Sequence, residues 1–157
     1  MKKIPIPGQD KPIVIEHLVL DMNGTLALDG ALVDGVPERL VALSESFRIH
    51  VLTADTFGTA REVFKDLPVR LVMIGKDNQA LQKRRYLEQL GPEQTVTIGN
   101  GMNDHQMLRD AILGIAVLGC EGVHQKALAA ADIIVPAIPD ALDLLRFPTR
   151  LMATLRN

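Results

Sequence analysis

The sequence predicts an α/β protein, a three-layer, Rossmann-like domain whose mainly parallel sheet is covered by helices on both faces and which carries no cap domain. Three observations predict it. Short apolar runs alternate with helical patterns along the whole chain, and parallel strands need such helical crossovers. Several of the runs are continuously apolar, as strands buried on both faces are. A length of 157 residues with 47% hydrophobic content suits one sizeable core, so residues 1–157 are read as a single domain.

Residues 13–20 form the first predicted strand. A helix over 37–47 follows, with Pro37 in its first turn and Leu40, Val41, Leu43 and Phe47 facing inward. Residues 49–52 make the second strand, Thr56 or Thr59 caps a helix running to Lys65, and 71–74 make the third strand. The longer pattern over 77–90 ends at Gly91-Pro92, a helix stop. Three short strands at 95–98, 114–118 and 132–135 are separated by helices at 104–110 and 123–130. A last helix covers 140–155. No repeat or low-complexity segment interrupts this alternation.

Composition removes several function classes. The apolar stretches fall well short of the roughly 20 residues needed to cross a bilayer, and the first residues have two lysines but no apolar core of a signal peptide. Neither a membrane role nor secretion is expected. A formal net charge of −2 speaks against nucleic-acid binding, and Lys83-Arg84-Arg85 reads as the solvated face of a helix. The single cysteine, Cys120, can form no internal disulfide and suits a reducing cytoplasm, where it is a packing or loop residue.

The chemistry begins with Val19-Leu20-Asp21, a strand that ends in a carboxylate and breaks into Met22-Asn23-Gly24-Thr25-Leu26. Such an ending delivers Asp21 to the carboxyl edge of the sheet, where open α/β folds bind their ligands. Three further segments follow in order: Val51-Leu52-Thr53-Ala54-Asp55, Gly75-Lys76, and Ile98-Gly99-Asn100-Gly101-Met102-Asn103-Asp104. Together they resemble the four motifs of the haloacid dehalogenase superfamily of phosphohydrolases and phosphotransferases, over nearly the whole chain. From Gly99 to Val135 the likeness is to the phosphorylation domain of P-type cation ATPases, as though this were a soluble, free-standing relative.

The resemblance implies a magnesium-dependent phosphatase. Asp21 would attack phosphorus and form an aspartyl-phosphate, while Thr53, Lys76 and the metal neutralise phosphoryl charge. Gly24, Thr25 and Ala54 would contact the phosphate through their backbone, and Asn103 would bind it or cap the following helix. Asp21, Asn23, Asn100 and Asp104 would hold the magnesium. The strand of Asp21 would lie beside that of Ile98, opening a crevice at a switch point. Asp55 reads as a helix cap; Asp29 and Asp34 read as turn residues or contacts at the rim.

Two positions depart from the family pattern. The residue two after the nucleophile is usually an aspartate that serves as acid and base; here it is Asn23, with ATPase relatives carrying threonine. The first polar position of the last motif is commonly a carboxylate on the metal; here it is Asn100. Low or restricted turnover is expected. The gaps between motifs leave no room for a cap domain, so the mouth is expected to be open, suiting a macromolecular phosphosubstrate or a small one enclosed by a neighbouring subunit of a homo-oligomer. Such closure is found in the capless sugar-phosphate phosphatases of similar size. Two alternatives accompany the phosphatase: a non-catalytic phosphate-binding or regulatory protein, and a protein whose useful state is the phosphoenzyme itself.

Overall fold

The computed structural model describes residues 1–156. Its centre is a six-stranded, fully parallel sheet made from β3 (His17–Asp21), β6 (Arg48–Thr53), β7 (Arg70–Met73), β8 (Thr95–Gly99), β9 (Leu113–Val117) and β10 (Ile133–Val135). The spatial order is β10-β9-β8-β3-β6-β7. From β3 the chain proceeds outward to β6 and β7; from β8 it proceeds the other way to β9 and β10. The carboxyl ends of β3 and β8 therefore flank the switch point, where a parallel sheet opens a crevice.

Both faces of the sheet are covered, which is why β3 is buried along its whole length. Leu18, Leu20, Ile49 and Val51 enter the larger core with α1 (Val36–Ser44), α2 (Ala60–Phe64), α6 (Ile138–Arg146) and α7 (Pro148–Leu155). Val19 and Leu52 belong instead to a second cluster with Leu87 of α3 (Gln79–Leu90) and Met107 of α4 (His105–Asp110). A strand alternates faces with a period of two. Asp21 thus falls on the side of Val19, toward α3. The remaining helix, α5 (Gln125–Ala130), packs beside α4 and β9.

The predicted strand over 13–20 is divided. Residues 13–15 form β2 (Ile13–Ile15), which pairs antiparallel with β1 (Lys2–Ile4), and the chain changes partners at Glu16 before β3 enters the main sheet. Apolar periodicity carries no information about which partner a strand takes. The predicted helix over 140–155 is likewise two helices, α6 and α7, broken at Phe147. Pro148 lacks an N–H and disfavours helical geometry in the preceding residue. An unpredicted hairpin, β4 (Ala27–Leu28) with β5 (Ala31–Leu32), follows the Asp21 loop. Its turn residues Asp29 and Gly30 both have positive φ, as a tight hairpin requires. Only this hairpin and α1 lie between Asp21 and β6, and only α2 and β7 between Thr53 and α3. No cap domain is inserted among the described residues.

At the opposite end of β3, His17 Nδ1 lies 3.0 Å from His50 Nε2, and His50 Nδ1 lies 2.8 Å from the Tyr86 hydroxyl. Burial, then the neighbouring His17, Arg70 and Arg48, push His50 down to about 4. The unfolded chain therefore binds a proton on His50 that the folded chain refuses, and this contribution to stability is present above the ordinary histidine range and lost as pH falls toward about 4. Relative to His50→Gln, the parent is expected to lose on the order of 1–2 kcal/mol of unfolding free energy between about pH 7 and about pH 5. Urea denaturation of both proteins at the two pH values measures it; parallel profiles would place the acid sensitivity elsewhere.

Candidate active site

The carboxyl edge of β3 places Asp21 opposite Leu52 of β6 and next to the end of β8. Its carboxylate is almost fully buried, and its Oδ1 accepts a 2.5 Å hydrogen bond from Lys83 Nζ. The same ammonium donates to Asp104 Oδ1 at 2.6 Å. Lys83 is 1% exposed and Asp104 is 0% exposed, so a cation sits between two carboxylates in a space closed to water. Asp104 Oδ2 accepts from the backbone N–H groups of Asn100 (3.0 Å) and Gly101 (2.8 Å).

The placement of Lys83 follows from its helix. It lies four residues before Leu87, which packs on Val19, so Lys83 occupies the same sheet-facing stripe one turn closer to the carboxyl edge. This corrects the expectation that Lys83 belongs to a solvated face. Lysine is almost never fully buried unless paired, and here it is paired twice. The signal was present in the sequence: Ala80, Lys83, Leu87 and Leu90 recur at helical spacing, with the charge inside the apolar stripe.

Lys76, by contrast, is exposed and forms no ion pair among the described residues. It follows β7, the sheet edge two strands from β3. The Gln82 side chain fastens its loop, accepting from Gly75 N–H at 2.8 Å and donating to the Asp77 carbonyl at 2.5 Å. The expected contact of Lys76 with the Asp21 centre is therefore replaced by that of Lys83. Lys76 instead lines a shallow surface depression with Asn103, Met102 and His105, where Asn103 Nδ2 donates to Gln79 Oε1 at 2.7 Å.

The other predicted residues gather around Asp21. Gly24 has a φ of 79°, which glycine adopts without penalty, and its N–H bonds to the Ala27 carbonyl. Thr25 is buried, and its hydroxyl donates to Asn100 Oδ1 at 3.2 Å. Asn100 Nδ2 donates to the Gly122 carbonyl at 2.9 Å. Thr53 ends β6, buried, and its Oγ1 accepts from Asp55 N–H at 2.9 Å; Ala54 lies in the turn between them. Asp55 Oδ1 accepts from Ala60 N–H at 3.0 Å, at the start of α2, in keeping with a capping residue.

Burial, and next the charge of Asp104, push the Asp21 carboxyl up to about 7, against the pull of Lys83 and Thr25. For Lys83, burial favours the neutral amine, but Asp104 and Asp21 outweigh it and hold the ammonium above its ordinary range. The three groups leave one net negative charge. Further hard oxygens accompany it: Asn23 Oδ1 is buried without a hydrogen-bond partner, and Lys83 engages Oδ1 of Asp21, not Oδ2. Such a donor set fits a small divalent cation such as magnesium, which prefers oxygen. A separate apolar cavity of ≈ 80 Å³ lies against Gly24, Thr25, Leu28, Val117 and Cys120.

No established family profile matches the chain. It is 43% identical over 84 residues to the uncharacterized protein MJ0073 of Methanocaldococcus jannaschii, a match spanning 51% of this chain and 90% of that protein. The uncharacterized protein MJ0072 of the same organism is 51% identical over 39 residues, spanning 25% of this chain and 89% of that protein. Among solved structures, the 3-deoxy-D-manno-octulosonate 8-phosphate phosphatase of Moraxella catarrhalis, in complex with magnesium, phosphate and its sugar, superposes with a TM-score of 0.71. The identity is 17%, covering 88% of this chain and 92% of that one. A Legionella pneumophila protein assigned to subfamily III A of the haloacid dehalogenase superfamily gives 0.71 at 17% identity, covering 90% and 87%. The cobalt-bound octulosonate phosphatase of Haemophilus influenzae gives 0.68 at 16%, covering 83% and 86%.

Removing Lys83 would leave two buried carboxylates facing each other without a cation. Lys83→Met is expected to destabilise the protein by about 3–5 kcal/mol near neutral pH, and Lys76→Met by less than about 0.5 kcal/mol. Urea denaturation of the two variants decides between them; equal effects would deny Lys83 its central place.

Proposed function

We propose that this chain, which belongs to the family of the archaeal protein MJ0073 and has the haloacid dehalogenase fold, is a magnesium-dependent phosphohydrolase acting through Asp21. The observation that carries this is the buried arrangement of Asp21, Lys83 and Asp104 at the sheet's switch point. Nothing in the fold's stability requires three charged groups there, since buried ion pairs contribute little net stability.

In this mechanism Asp21 Oδ2 attacks phosphorus in line as the bond to the leaving oxygen breaks, and an aspartyl-phosphate forms. Water then attacks the phosphoryl group, releasing phosphate and restoring the carboxylate. Lys83 holds Asp21 ionised and oriented, and Asp104, itself fixed by two N–H groups, holds Lys83. The Thr53 hydroxyl and the backbone N–H groups of Asn23 and Ala54 stabilise the transferring oxygens, those of Gly24 and Thr25 being engaged by the Ala27 and Met22 carbonyls. Magnesium would be held by Asp21, the Asn23 backbone carbonyl and Asn100 and would neutralise phosphoryl charge; Asp104, expected to be a direct ligand, instead has both oxygens engaged by Lys83 and two backbone N–H groups, fully buried, and acts through Lys83. Asn23 can donate a hydrogen bond to the leaving oxygen but cannot give it a proton, so esters with good leaving groups are favoured.

The substrate class is a small phosphoester. The sugar phosphatases of the same fold support a phosphosugar, enclosed by a neighbouring subunit, while the apolar cavity beside Thr25 supports a leaving group with an apolar portion. The likeness of residues 99–135 to P-type ATPases, together with Asn23, supports a long-lived phosphoenzyme. No helix is long and apolar enough to cross a membrane among the described residues, and the lone exposed Cys120 supports a cytoplasmic setting. The second reading, a non-catalytic phosphate-binding protein, rests on Asn23 and Asn100 standing where acids are usual.

Hydrolysis of p-nitrophenyl phosphate with magnesium tests the first reading. Asp21→Asn is expected to lose at least about a thousandfold in kcat, because covalent catalysis has no substitute at this site. Asn23→Asp is expected to raise kcat by about 10²–10⁴-fold on alkyl phosphates, the range of a positioned acid–base group. An inactive parent that still binds phosphate would favour the second reading.

A further inference from the structure

The segment after β9 folds back over the Asp21 loop. Gly119 and Gly122 both have positive φ, and the segment is sewn to Asn100 twice: Asn100 Nδ2 donates to the Gly122 carbonyl at 2.9 Å, and His124 N–H donates to the Asn100 carbonyl at 2.8 Å. Immediately before these anchors stands Glu121. Its Oε2 lies 2.4 Å, and Asn100 Nδ2 2.6 Å, from the point where a Cβ on Gly24 would be. The carboxylate and the Asn100 amide thus flank the space that a side chain at residue 24 would enter, close enough for one water to bridge them.

We propose that Glu121 supports the cation site of this chain, supplying beside Gly24 a negative charge that the neutral Asn100 amide does not. This rests on the phosphohydrolase reading above. With Asp21 ionised, Asp21 and Asp104 against Lys83 leave one negative charge, to which Glu121 would add a second from outside that buried cluster. An amide oxygen alone is a weak ligand for magnesium, which takes its affinity from carboxylates and keeps several of its waters. Glu121, exposed at the loop tip, suits an acceptor for one of those retained waters rather than a direct ligand. Outer partners of this kind typically change metal affinity by about 10–100-fold. The glycine at position 24 is called for by its φ of 79°, and it leaves the space into which the Glu121 carboxylate reaches.

Titration calorimetry with magnesium chloride alone, without substrate, tests this on the parent, Glu121→Gln and Glu62→Gln, the last removing an exposed carboxylate of α2. Glu121→Gln is expected to bind magnesium at least about tenfold more weakly, and to lose the magnesium-induced rise in Tm, while Glu62→Gln matches the parent. Equal affinity in the parent and Glu121→Gln overturns the proposal and leaves the phosphohydrolase reading standing. Equal weakening by Glu62→Gln also overturns it, because the effect would then be general electrostatics. A parent that binds no magnesium at millimolar concentrations overturns the magnesium-dependent reading itself.

Discussion

The ammonium of Lys83 is the constraint on which the rest of the site depends. Two carboxylates buried within reach of one nitrogen could not both stay ionised without it, and a buried lysine could not stay charged without them. The arrangement couples three elements, β3, α3 and the turn before α4, so their relative positions are fixed by charge as well as by apolar packing. It also exposes a conflict within the protein. Burial and the charge of Asp104 drive Asp21 toward protonation, and the Lys83 ammonium opposes them.

The sheet order explains why these groups meet at all. Asp21 and the start of the Asn100 segment leave adjacent parallel strands in opposite directions, so both loops must bend away and leave a gap. The pleat then turns Asp21 toward α3, and helical spacing carries Lys83 to it from the turn above Leu87. None of these steps requires long-range design. Each is a local periodicity, of two in the strand and of 3.6 in the helix, brought into register by the packing of Leu87 on Val19.

The same periodicities set what could be read in advance. Asp21, Thr53 and Asn100 follow apolar strands directly, and their convergence is legible because a parallel sheet collects its strand ends at one edge. Lys83 was hidden by its neighbours: Arg84 and Arg85 make the local composition look solvated, although Lys83 alone shares the stripe of Leu87 and Leu90. Lys76 misled for the converse reason, since it follows a strand whose place at the sheet edge cannot be read from its own residues. Glu16 and Phe147 show the same limit, because partner exchange and a proline-induced break interrupt otherwise unbroken periodic patterns.

Asn100 is more than a carboxylate that has been lost. Its Oδ1 accepts from Thr25 while its Nδ2 donates to the Gly122 carbonyl, and only an amide can do both. An aspartate in its place would turn lone pairs toward the Gly122 carbonyl and release the loop that bears Glu121. The asparagine thus trades a direct charge for a hydrogen bond that holds another charge in position. The acidic group nearest this amide across Gly24, Glu121, therefore stands on an exposed loop at the rim of the crevice, while Asp104 fills its floor.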